Sequence, residues 1–128
     1  MGNQNIWRLN ASEQAAAIAG GDITATDAVQ SSIDRMHSVN GALNAVVMDL
    51  SQQALERAEA LDAIREKGET IGPLHGVPVT IKINVDQKGW ATTNGITALK
   101  DFIAHSDAPV VKNLQDAGAV VIGRTNTP

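Results

Sequence analysis

Between Gly76 and Asp86 apolar and polar residues alternate: Val77, Val79, Ile81, Ile83 and Val85 fall on one side, with Thr80, Lys82 and Asn84 on the other. Successive side chains of a strand point to opposite faces, so the run predicts a strand with one dry face and one polar face carrying a single amine. Ala119 to Ile122 reads as a second strand. Between them, Ala108 to Ala117 reads as a helix with Asp107 as its cap, Pro109 in its first turn and Gly118 as terminator. Strand, helix and strand in this order predict a parallel pair joined by a right-handed crossover, entered through a long loop containing Lys88-Gly89-Trp90.

The first half of the chain has helical spacing instead. Asn10-Ala11-Ser12-Glu13 has the layout of a capping box, and the Ala-rich helix behind it is ended by Gly20-Gly21. Thr24 to Asp27 opens a second helix whose Val29, Ile33 and Met36 share a face and which is expected to stop before Asn40-Gly41. Leu43 to Met48 is a short apolar run of strand type. Leu50, Ala54, Ala58 and Leu61 form the buried stripe of a third helix closing near Gly68, which leaves Glu56, Arg57, Glu59, Asp62, Arg65 and Glu66 as a solvated face. With no repeat, low-complexity tract or linker, residues 1–128 read as part of one domain, helical over about 1–70 and β-α-β over about 71–128.

Composition changes this picture in two ways. Trp7, Trp90 and Phe102 are the only large aromatic side chains, so burial must come from Ala, Val, Ile and Leu, and much apolar surface is left for something outside the chain to cover. A net charge of -4 without a Lys/Arg cluster argues against nucleic acid as a partner, because neutralising phosphates needs a concentrated basic face. The absence of cysteine removes thiol nucleophiles and thiolate metal sites, and His37, His75 and His105 are too scattered for a metal motif. His37 reads as a surface residue in a helix's last turn, without a partner. The start of the chain lacks a signal-peptide pattern and no apolar run is long enough to span a membrane, so a soluble, cytoplasmic protein is expected.

Four segments in order carry a resemblance. Gly72-Pro73-Leu74-His75-Gly76-Val77-Pro78-Val79-Thr80-Ile81-Lys82, Thr92-Thr93-Asn94-Gly95, Asp107-Ala108-Pro109-Val110-Val111 and the run Ala117 to Pro128 together resemble the N-terminal part of amidase signature enzymes. The resemblance implies an α/β fold: N-terminal helices plus the first strands of a mixed β-sheet core flanked by helices, incomplete in this chain. It also implies amide hydrolysis by a Ser-cisSer-Lys triad, with Lys82 as its catalytic lysine and both serines in the remainder of an amidase chain. None of Ser12, Ser31, Ser32, Ser38, Ser51 and Ser106 has the motif, so these 128 residues alone are expected to be inactive. The partners implied are a small-molecule amide and that remainder, with no metal or organic cofactor. The alternative is a noncatalytic, truncated amidase-like chain acting as an assembly subunit.

A lysine serves as a base only when neutral, so its ordinary pKa of about 10.4 has to come down to about 7, at a cost of roughly 4 kcal/mol. Burial supplies such a change, and a strand is a rigid mount for the amine. The family commonly has an acidic residue after this lysine, where this chain has Ile83; Asn84, on the polar side with Lys82, becomes the candidate for orienting it. His75 sits in a turn that the family uses structurally. By resemblance, Thr125-Asn126 and the Thr92 to Gly95 loop are candidates for bordering the substrate pocket, while Asn94-Gly95 is equally an ordinary turn signal.

Overall fold

The computed structural model describes residues 3–69 and 71–128. After a short 3-10 helix over Asn3–Arg8 come α1 (Ala11–Gly20), α2 (Ala25–Leu43), β1 (Val46–Asp49), α3 (Ser51–Glu66), β2 (Pro78–Lys82), α4 (Pro109–Asp116) and β3 (Val120–Thr125). The strands form one mixed sheet in the order β1-β3-β2, with β2 parallel and β1 antiparallel to the central β3. The expected β-α-β crossover is therefore present, and β3 runs three residues beyond its expected end at Ile122.

Local chemistry accounts for the helix starts. Asn10 and Glu13 exchange bonds as a capping box ahead of α1, and Thr24 and Asp27 do the same ahead of α2. Gly21, in the left-handed region at φ 85°, ends α1. The run from Asn40 does not end α2 as expected, because Asn40 is satisfied inside the helix. Its Nδ2 donates to Val46 O and its Oδ1 accepts from Val46 N, both at 2.8 Å, so the side chain imitates a neighbouring strand. Asn44 makes the left-handed cap instead at φ 49°, and Leu43 becomes the exposed end of α2 rather than the start of a strand. α4 starts with Pro109 in its first turn, but Ala108 is its cap residue; Asp107 Oδ1 accepts from Lys88 N at 2.7 Å and ties down the preceding loop.

Two cores lie on opposite faces of the sheet. On one, Val29, Ile33 and Met36 of α2 meet Ala54, Ala58 and Leu61 of α3 over Val120 and Ile122. On the other, Ile81, Val121, Leu50 and Val111 pack together, with Trp90 at the margin. Each Val, Leu, Ile or Met side chain so buried contributes about 1.5–3 kcal/mol. A bulge in the β2–β3 pairing, where Val79 faces Val121 but Thr80 faces Gly123, leaves Ile122 unpaired. Gly123 is required there, since a Cβ would lie 2.7 Å from Val46 Cγ1.

The third helix is less solvated on its polar side than its spacing predicts. Asp62 reaches the start of α2, its Oδ1 accepting from Ala25 N at 2.7 Å and its Oδ2 from Thr26 N at 3.0 Å and Thr26 Oγ1 at 2.6 Å. The carboxylate takes up orphan amides at the positive end of a helix. Arg65 is also half-buried, its guanidinium lying against Gly21.

Candidate active site

Burial alternates from Val79 to Asn84 as the sequence pattern predicts, but the strand itself stops at Lys82. Beyond it Ile83 and Asn84 form a turn, with Val85 N–H donating to Lys82 O at 3.0 Å and Ile83 N–H to Thr125 O at 2.9 Å. Asn84 thus stands on a turn rather than on the strand face expected for it. Lys82 and Asn84 are both exposed, and among the described residues neither side chain has a hydrogen-bond partner. Thr80, on the same side of β2 as Lys82, lines an apolar groove of about 280 Å³ with Met36, Val39, Leu43 and Ile122.

The loop from Ile83 to Ala108 folds back on itself. Thr92 Oγ1 donates to Asp86 Oδ1 at 2.6 Å, Ala108 N to Asp86 O at 2.9 Å, and Ala91 forms an isolated bridge with Ile103. Asn94 and Gly95 turn through the left-handed region at φ 48° and 73°, and a Cβ on Gly95 would lie 3.0 Å from Thr127 Cγ2. The loop is thereby brought against the end of β3. A cleft of about 430 Å³ opens at this end of the parallel strands, lined among others by Val47, Ile83, Thr93, Gly95, Ile96 and Asn126. In α/β sheets the carboxyl ends of parallel strands are where ligands are usually received.

One charged residue of this region was given no task by the sequence pattern. Arg124 is fully buried on β3 beside Ile81, its Nη1 donating to Ala91 O at 2.8 Å and its Nη2 to Val85 O at 2.6 Å, while Nε has no partner. Burial pulls its pKa below the ordinary value, partly offset by the nearby Asp86. The signal available was a lone charge within Val120-Val121-Ile122-Gly123-Arg124.

The histidines stand apart from Lys82 in their roles. His75 is buried and its Nε2–H donates to Leu61 O at 2.9 Å, joining the turn before β2 to α3. His37, within α2 rather than in its last turn, does have partners: its Nε2 lies 2.6 Å from Asp49 Oδ2 and 3.3 Å from Ser51 Oγ. Carboxylate and hydroxyl share one ring nitrogen, whereas a proton relay through imidazole uses both. Burial pushes the Asp49 carboxyl up, but hydrogen bonds from Ser51 and the proximity of His37 outweigh it and leave the pKa below its usual value. Among the described residues no three His, Cys, Asp or Glu side chains cluster as a metal would require, and no helix is long and apolar enough to cross a membrane.

The model of the Amidase family matches residues 27–128. An indoleacetamide hydrolase of Bradyrhizobium diazoefficiens is 56% identical over 123 residues, which are 96% of this chain and 24% of that protein. An acylamidase of Rhodococcus erythropolis is 39% identical over 128 residues, 100% of this chain and 27% of that protein. Among solved structures, a bacterial aryl acylamidase of the amidase signature family superposes with a TM-score of 0.88 at 31% identity, over 94% of this chain and 25% of its own. The chain thus spans about a quarter of the length of the curated relatives it matches.

Proposed function

Because this chain belongs to the Amidase family, we propose that it is the lysine-bearing part of an amide hydrolase, with Lys82 as the proton-accepting end of a Ser-cisSer-Lys triad. The observation that carries this reading is the placement of Lys82. Lys82 is exposed and its amine unpartnered where β2 ends, and the next residue in the chain, Ile83, lines the cleft with Thr93, Gly95 and Asn126. Both serines come from the remainder of the amidase chain, which also covers the open side of β2 and strips water from the amine.

In this mechanism neutral Lys82 takes a proton from the bridging serine, which takes one from the nucleophilic serine as its oxygen attacks the amide carbonyl. The C–N bond breaks as the proton is returned to the leaving nitrogen, and water then hydrolyses the acyl-enzyme. The reaction needs no metal or organic cofactor, and the enzyme is a soluble, cytoplasmic one. An arylacetamide is the substrate class we assign, on the 56% identity to an indoleacetamide hydrolase and on the apolar lining that Val47, Met48, Ile83 and Ile96 give the cleft.

Ammonia release from indoleacetamide by the complete amidase tests the reading. Lys82→Ala is expected to fall to background, and Lys82→Arg with it, since a guanidinium does not give up its proton in proteins. Near-normal turnover by correctly folded Lys82→Ala enzyme would exclude the triad and leave the assembly-subunit reading.

A further inference from the structure

The segment that follows Lys82 is held by one dipeptide of β3. Thr125 O accepts from Ile83 N–H at 2.9 Å, at the start of the turn. Its neighbour Arg124 donates to Val85 O at 2.6 Å, at the end of the turn, and to Ala91 O at 2.8 Å, on the returning limb of the loop. The turn closes on itself through Val85 N–H and Lys82 O.

Arginine is a costly choice for this task. The side chain is fully buried, among the described residues no carboxylate forms an ion pair with it, and Nε is left without a partner. Burying a charge that the nearby Asp86 compensates only in part is unfavourable, and neutral donors would tie down two carbonyls at lower cost. Stability alone therefore does not account for a cation at this position. A planar guanidinium does one thing that a lysine amine or an amide does less well: its rigid fork fixes two carbonyls relative to each other.

We propose that Arg124 is a positioning residue for Lys82, clamping Val85 O and Ala91 O so that the turn over residues 82–85, and with it the end of β2 that bears the amine, is held in one place. The proposal rests on Lys82 serving as the base. A base must lie within hydrogen-bond reach of the proton it accepts, and a misplacement of about 1 Å costs on the order of 100-fold in rate.

The test uses the complete amidase with indoleacetamide, its active sites titrated with a serine-directed phosphonate so that unfolded protein does not count. Arg124→Lys and Arg124→Met are expected to lower kcat by about 100-fold. They are also expected to move the acid limb of the kcat/KM profile to higher pH, because a loosened turn admits water that favours the ammonium form. An unchanged limb and rate in folded Arg124→Lys enzyme, with Lys82→Ala inactive, would overturn the positioning role alone; an active Lys82→Ala enzyme would remove the reading beneath it. If neither Arg124 variant folds, amide exchange of the wild-type chain decides. Ile83 and Val85 are expected to exchange as slowly as β3, and exchange at free-loop rates would overturn the clamp.

Discussion

At the amino ends of β2 and β3, backbone meets backbone. A Cβ on Gly118 would lie 2.7 Å from His75 Cα, one on Gly76 would lie 2.5 Å from Ala25 Cβ, and one on Gly72 would collide with Ala117 O. At the carboxyl ends of the same strands the surface is open, with Lys82, Asn84, Asn94, Gly95 and Asn126 all exposed. Tight packing is concentrated at the first end and the surface is left open at the second, where Arg124 ties Val85 O and Ala91 O to β3. Open ends of this kind are the low-stability parts of a fold, where moving or binding segments are found.

The largest effect that tests this contrast belongs to the closed end. Gly118→Val adds a branched side chain at φ 95°, a conformation that β-branched residues avoid, and drives it into the backbone of His75. A loss of more than about 4 kcal/mol is expected, in the exceptional range for single substitutions. Urea unfolding followed by circular dichroism checks it. A cost below about 1 kcal/mol, the ordinary value for point mutants, would show that the amino end is not closed.

Next in size is Asp62→Ala, which asks whether the closed packing extends into the helical half. The substitution frees Ala25 N, Thr26 N and Thr26 Oγ1, which Asp62 now satisfies at the start of α2. A loss of about 2 kcal/mol is expected, at the upper end for a lost helix cap. An effect as small as that of Glu59→Ala, on the same helix but exposed, would return Asp62 to the solvated face.

These residues also mark how far the sequence could be read. The capping box at Asn10, the helix start at Thr24, the stripe Ala54-Ala58-Leu61 and the alternation around Lys82 are local patterns, and each appears in the structure close to its expected place, whereas Leu50, expected in the same stripe, precedes α3 as its cap residue and packs in the other core. What could not be read depends on partners that lie outside the element carrying the pattern. Asp62 looks like one more charge on a polar face until α2, more than thirty residues earlier, is laid across it. Asn40 looks like a helix stop because its strand-like pairing with Val46 exists only once β1 is in place. Arg124 is the extreme case, since its partner Ala91 lies in a loop that no periodicity describes and its partner Val85 in a stretch read as strand that turns instead. Of the residues in the proposed site, the motif resemblance named Lys82, the Thr92 to Gly95 loop and Thr125-Asn126, and it quoted Arg124 within a longer run without giving it a role.

A smaller effect should appear in acid at the surface where α2, β1 and α3 meet. The Asp49 carboxyl sits below its ordinary 3.8, its hydrogen bonds from Ser51 and the nearby His37 outweighing burial. A carboxylate with a depressed folded-state pKa contributes stability that is present above its unfolded value and lost as pH falls through the folded one. Wild type should therefore lead Asp49→Asn near neutral pH by less than about 1 kcal/mol, as for half-exposed pairs, and lose that lead below 3.8. Melting curves from pH 7 down to about pH 2.5 read this directly. A lead that grows in acid would reverse the sign of the linkage.

The smallest expected effect is at Lys82 itself, measured on stability rather than on rate. The side chain is exposed and, among the described residues, has no hydrogen-bond or ion-pair partner, so Lys82→Ala removes no bond from the 128-residue chain. Its backbone pairing with Thr125 is kept, and alanine at an exposed strand position costs only a few tenths of a kcal/mol in propensity. The urea midpoint should stay within about 0.5 kcal/mol of wild type, the usual range for a surface substitution. In the complete enzyme the same change is expected to abolish turnover, and that separation of rate from stability is what an open catalytic end predicts. A cost above about 1 kcal/mol would instead mean that the lysine stem covers apolar surface beside Thr80, and the carboxyl end would then be held by Lys82 as well as by Arg124.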